Sequence, residues 1–131
     1  MGFSDGLKKW HHFVNTKSTE GLDDFIEEDA ILYSPVVWTP IEGKFMVTMY
    51  LMAAAQIIAN EKFTYVREVL DDKNAVLEFL TEIDGVTVEG VDMIQFTDKG
   101  KLKEIKVMVR PLKAMNIIHQ KMGEYLQKMQ G

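Results

Sequence analysis

Asp92 is the strongest candidate for chemistry in this sequence. Side chains along 86–96 alternate so that Val86, Val88, Gly90, Asp92, Ile94 and Phe96 share one face, and Asp92 is the only charge on it. At a sheet edge such a carboxylate would meet solvent or a cross-strand lysine. Facing a dry pocket, it would have a raised pKa, and a carboxyl kept protonated near neutral pH can donate a hydrogen bond to a ligand carbonyl. Alternation alone leaves both open.

The other reactive residues carry less. His11 and His12 are neighbours on a helix, so they point about 100° apart and cannot chelate one ion together. His119 has no ligand-type residue four positions on. All three histidines read as helix-surface or hydrogen-bonded core positions. Ser34, beside Pro35, has no base near it in sequence, and HExxH, P-loop, GxGxxG and GxSxG patterns are absent. The acidic run Asp23-Asp24 and Glu27-Glu28-Asp29 lacks EF-hand spacing and reads as a solvated face. Neither a metal nor a cofactor is expected. The nine methionines suit a core, and equally a pocket of loose shape specificity.

These residues need elements to position them. Leu7, Trp10, His11 and Val14 recur at helical spacing, with Ser4 or Asp5 as N-cap. A short helix after Ser18 would bury Leu22, Phe25 and Ile26; a strand over 30–37 would end at Trp38-Thr39-Pro40. A long helix over 42–60 carries Phe45, Met49, Met52 and Gln56 along one side. The period then changes from 3.6 to 2, predicting strands at 63–70, 75–83, 86–96 and 102–109. Their short links force an antiparallel meander, because parallel crossovers need a dozen or more residues. Leu102 breaks parity with Ile105, which predicts a β-bulge near Lys103-Glu104. A closing helix over 112–128 has Leu112, Met115, Ile118, Met122, Leu126 and Met129 as its stripe. The order of elements makes the class α+β.

Composition bounds the function. The chain of 131 residues, 47% hydrophobic and without cysteine, fits one domain over 1–131 and excludes disulfides and thiolate chemistry. A net charge of −5 argues against a dedicated nucleic-acid binder. The charge is uneven: residues 1–98 hold 7 basic and 18 acidic side chains, and 99–131 hold 8 and 2. The two parts are expected to neutralise each other in one fold. No stretch is long enough for a membrane span, and the N-terminus lacks signal-peptide and myristoylation patterns, so a cytoplasmic protein is expected.

The run GVDMIQFTDKGKL at 90–102 and VMVRPL at 107–112, with Glu28-Asp29-Ala30, Ser34-Pro35 and Glu42-Gly43-Lys44, resembles NTF2-like proteins of the SnoaL-like type. The resemblance implies a curved antiparallel sheet wrapped around helices, forming a cone with an apolar interior, and dimers through the outer sheet face. The cone would be lined by Trp10, Phe13, Tyr33, Pro35, Phe45, Met49, Phe63, Phe79, Val107 and Val109 around Asp92. Ketosteroid isomerase shares this fold, and Asp92 matches its protonated aspartic acid. Ser34, however, stands where that family has its proton-shuttling aspartate, and Trp10 stands where it has an oxyanion-binding tyrosine. Two of three chemical roles are therefore missing. An epoxide-hydrolase set of Asp, Arg and Asp is not assembled either, because Arg110 is expected to point outwards.

The expectation is a homodimer binding a small apolar molecule, with Asp92 as polar anchor aided by Tyr33, Tyr65, Ser34 or Trp10. The alternative is a cofactor-free isomerase, cyclase or dehydratase working next to a carbonyl, with Asp92 as acid/base.

Overall fold

A computed structural model describes residues 2–130. Helix α1 (Gly2–Thr16) and the single turn α2 (Leu22–Phe25) precede strand β1 (Ile26–Tyr33), the two-residue β2 (Ile41–Glu42) and helix α3 (Lys44–Ile57). Strands β3 (Thr64–Leu70), β4 (Asn74–Ile83), β5 (Val86–Phe96) and β6 (Leu102–Arg110) follow, and helix α4 (Leu112–Gln130) closes the chain. One six-stranded sheet runs in the order β2-β1-β6-β5-β4-β3.

The meander is antiparallel, as its turns require. Asp84 and Gly85 both take positive φ, 50° and 80°, which gives the two-residue loop the twist that a hairpin prefers. Asp71 caps the β3–β4 turn by accepting from the backbone N–H groups of Lys73 and Asn74 at 2.8 and 2.6 Å. The expected bulge lies at Lys103: Gln95 faces Glu104, whereas Phe96 faces Leu102.

The sheet as a whole is mixed, because β1 pairs with β6 in parallel. The expected strand over 30–37 is displaced towards the N-terminus: β1 begins at Ile26 and ends at Tyr33, before Ser34-Pro35. Glu42 belongs to a short hairpin partner of β1, so α3 begins at Lys44. Helix α1 starts at Gly2, which places Ser4 and Asp5 inside its first turn, where Asp5 faces the helix dipole favourably. At its other contact Gly6 lets α1 lie on the β5–β6 turn; a Cβ there would sit 2.7 Å from the Phe96 ring.

Two apolar clusters fill the inside of the curve. One joins Trp10, Phe13, Phe25, Leu32, Leu51 and Ile105; the other joins Ala53, Ile58, Phe79, Ala114, Ile118 and Met122 beneath α4. On α4, Leu112 and Met129 are exposed, so the buried stripe is shorter than its apolar spacing suggested. Among the described residues no helix is long and apolar enough to cross a membrane.

Candidate functional site

Pairing places Asp92 inside the curve. Its register partners are Leu77 on β4 and Val107 on β6, and the alternation that buries Val88, Gly90, Ile94 and Phe96 buries Asp92 as well, to 7% exposure. The edge alternative is thereby removed. Tyr65 comes from β3, two strands away, a span of roughly 10 Å at ordinary strand spacing. Its ring reaches across the concave side, and its hydroxyl donates to Asp92 Oδ2 at 2.6 Å. From α1, the Trp10 Nε1–H donates to the same hydroxyl at 2.9 Å. Three elements therefore meet in one chain of hydrogen bonds.

Burial pushes the Asp92 carboxyl up to about 7, and the Tyr65 hydrogen bond pulls it part of the way back. Tyr65 is pushed well above the ordinary phenol range by burial first, then by the adjacent Asp92 carboxylate, while Trp10 opposes the shift. Tyr65 thus stays neutral across the working range of proteins. Behind it, His11 meets the Tyr65 ring edge-on at 5.4 Å and pairs with Glu68 at 2.9 Å.

The two apolar clusters leave a cavity of about 70 Å³ where they meet, and Asp92 and Tyr65 stand on its wall. Trp10, Phe13, Ser34, Pro35, Phe63, Phe79 and Val107 also line it, as the sequence led us to expect. Phe63 and Phe79 stack at 5.2 Å between centroids, and Gly90 makes room for them: a Cβ there would lie 2.4 Å from the Phe79 ring.

Four expected lining residues lie elsewhere. Leu32 points inwards beside Ile105, so its neighbour Tyr33 points outwards, where the Lys106 ammonium lies 4.9 Å from its ring centre. Phe45 is 75% exposed, and Met49 on the same side of α3 is half-buried and off the cavity. Helix α3 presents Tyr50, Leu51, Ala54 and Ala55 instead. The helix is apolar almost all round, so residue size misled the choice of face. Val109 packs with the α4 cluster rather than on the cavity.

Sequence reasoning also missed the buried tie between Asn60 and Thr81. The Thr81 hydroxyl donates to Asn60 Oδ1 at 2.8 Å, and Asn60 Nδ2 donates to the Glu82 carbonyl at 3.0 Å. This anchors the C-terminal end of α3, with its cavity residues Ile58 and Ala59, onto β4. The signal was faint: one Asn after an apolar helix.

The chemical capacity of the site follows from its atoms. Oδ2 of Asp92 is engaged by Tyr65, and among the described residues Oδ1 has no partner. No sealed side-chain nitrogen or oxygen lacks a partner there, so Oδ1 keeps its surface on the cavity. Ser34 Oγ accepts from the Val36 backbone N–H at 3.2 Å and has no base beside it among the described residues. Arg110 and Arg67 pair on the outer face with Glu89 and Glu78 at 2.7 and 3.2 Å. Among the described residues the site offers one unpartnered carboxyl oxygen, with Ser34, Tyr50 and Tyr65 as the other polar residues on a mainly apolar wall.

No family model matches the chain, and no curated protein matches it by sequence. Solved structures do. A protein described as a steroid delta-isomerase from Pseudomonas aeruginosa is 29% identical, with a TM-score of 0.91 over 98% of this chain and 93% of that one. A protein with a cystatin-like fold from Silicibacter pomeroyi is 22% identical, with a TM-score of 0.84 over 95% of this chain and 86% of its own. An NTF2-like protein of unknown function from Mesorhizobium loti is 16% identical, with a TM-score of 0.72 over 84% and 92%. With its curved mixed sheet, its flanking helices and these likenesses across nearly its whole length, this chain has the fold of NTF2-like and ketosteroid isomerase-like proteins, which supports the resemblance read from its sequence.

Proposed function

We propose that this protein acts as a single domain that binds a small, largely apolar molecule in its cavity, with the Asp92 carboxyl holding one polar atom of the ligand. The observation that carries this reading is a buried acid, pushed up to about 7, standing on an apolar wall with one oxygen unpartnered among the described residues. A ligand carbonyl suits that oxygen best, because a protonated carboxyl donates.

A second reading is proton transfer next to a carbonyl, with Asp92 holding the developing enol oxygen. The likeness to a steroid delta-isomerase at 29% identity supports it. Ser34 weighs against it, since an unactivated hydroxyl is no base at neutral pH.

Titration calorimetry with indanone separates the possibilities. Asp92→Leu is expected to weaken binding by about tenfold or more, in line with loss of a hydrogen bond in an apolar site. Asp92→Asn keeps a donor and should bind with little dependence on pH. Undiminished binding in Asp92→Leu sinks the proposal. If β,γ-unsaturated ketones gain conjugated-enone absorbance with the wild-type protein and not with Asp92→Asn, the enzymatic reading replaces it.

We also propose that two copies pair through the outer sheet face. The exposed Val69, Leu80 and Met108 there, set among the Arg67–Glu78 and Arg110–Glu89 pairs, support this. A cytoplasmic location completes the proposal, on the strength of the cysteine-free composition.

A further inference from the structure

Trp10 occupies a position from which its resemblance-based role would be to hold a ligand oxygen, yet its only donor is engaged by Tyr65. That engagement has a directional consequence. An indole N–H can donate and never accept, so the Tyr65 oxygen must accept from Trp10. The single Tyr65 proton is then free to point only along its other short contact, to Asp92 Oδ2 at 2.6 Å. With Oδ2 accepting, a proton on the Asp92 carboxyl belongs on Oδ1, the oxygen that keeps its surface on the cavity.

We propose that Trp10 is a positioning residue: by heading a one-way hydrogen-bond chain through Tyr65, it places the carboxyl proton of Asp92 on the cavity side and so makes the site select carbonyl ligands over the matching alcohols. This rests on the ligand-binding reading above and deepens it. Trp10 and Phe13 are buried together at 5.9 Å between ring centres, so the indole is held in place by packing as well as by its bond.

The surroundings leave the chain as the principal polar influence on Asp92. From β4 and β6 the register partners are the apolar Leu77 and Val107. Helix α3 contributes Tyr50 to the same cavity, and α4 contributes Ile118 and Met122. The titratable neighbours are His11 on α1 and Glu68 on β3, in contact with each other beside the Tyr65 ring.

Two substitutions test this. Trp10→Phe removes the N–H and part of the bulk; benzothienylalanine at position 10 replaces the N–H by sulfur and keeps the shape, so it stands in where Trp10→Phe fails to fold. The first readout needs no ligand: the carboxyl carbon resonance of Asp92 followed against pH. Without Trp10, Tyr65 is less polarised and donates more weakly to the carboxylate, so the Asp92 pKa rises. A merely structural loosening admits water and lowers it. The second readout is the affinity ratio of indanone to indanol below pH 7. The wild-type protein is expected to prefer the ketone by about fivefold or more, falling to about twofold or less in both variants, the range one hydrogen bond spans. A lowered or unmoved pKa, or a preserved ratio, overturns the proposal. If the wild-type protein binds neither probe, the ligand-binding reading and the selectivity fall together, while the titration still decides the positioning role.

Discussion

Placing a carboxyl in an apolar wall ties proton binding to folding. Asp92 in the folded chain titrates at about 7, against about 3.9 in an unfolded chain. The folded state therefore holds this proton over a range in which the unfolded state has lost it. The sign follows: the contribution is greatest below about pH 4 and is lost as pH rises towards 7, by up to about 4 kcal/mol. Asp71 and Glu89, held below the usual carboxylate range by hydrogen bonds from the β3–β4 turn and from Arg110, act in the opposite direction at lower pH. Comparison with Asp92→Asn isolates the single group. Urea unfolding at pH 5 and pH 8 should show Asp92→Asn gaining on the wild type at the higher pH by a few kcal/mol. A gap equal at both pH values would contradict a buried acid. At this scale the sequence was partly informative. Period-two alternation pointed Asp92 inwards, because alternation is local. The link from Trp10 to Tyr65 joins residues 55 apart, and that from Tyr65 to Asp92 residues 27 apart. Both depend on sheet curvature and helix docking, which no local pattern encodes.

Among the elements, α3 shows why the cavity exists. A helix apolar on nearly every side docks by size as much as by hydropathy, and α3 turns Ala54, Ala55 and, just past its end, Ala59 towards the cavity while leaving Phe45 in solvent. The space is thus made by small side chains on one helix facing large aromatic ones on the sheet. The run Ala53-Ala54-Ala55 was visible in the sequence, but its meaning required knowing which face lies opposite Phe63 and Phe79. The meander was more legible, since Asp84-Gly85 and Asp71 carry turn chemistry in their own residue types. The parallel pairing of β1 with β6 was not, because it joins the two ends of the chain and no turn announces it. If small residues on α3 make the cavity, a larger one should close it. Ala54→Leu is expected to reduce indanone binding by about tenfold or more, with a melting temperature unchanged or raised, since filling a cavity commonly stabilises by about 0.5–2 kcal/mol. Retained binding would show that the ligand sits elsewhere. A clear loss of stability would show that α3 is already packed tightly there.

The whole molecule has to satisfy two faces of one sheet. The inner face is closed by α1, α3 and α4; among the described residues the outer face carries no helix, and its Arg67, Arg110 and Lys62 are matched by Glu78, Glu89 and Glu82. Glu89 with Arg110 at 2.7 Å joins the acidic front to the basic closing part of the chain, and Lys121 with Asp84 at 2.9 Å does the same from α4. Those two pairs tie the acid-rich front to the lysine-rich tail. This leaves Met108 at 53% and Leu80 at 39% exposure on two strands that both pair with β5, so the face offers a partner these side chains. A stable homodimer buries about 800 Å² per partner, which the outer face of a four-stranded meander can supply. Apolar residues flanked by ion pairs suit a two-fold contact, in which each patch meets its own copy. Sedimentation of the wild-type protein at micromolar concentration should then give twice the mass of the chain. Leu80→Lys combined with Met108→Lys places four like charges across the two-fold contact, and it should give the single-chain mass while leaving Asp92 titrating as before, because both side chains point away from the cavity. A wild-type monomer at every concentration would end the dimer proposal. A double variant that shifts the Asp92 titration would show that the outer face and the cavity are coupled through the sheet rather than separated by it.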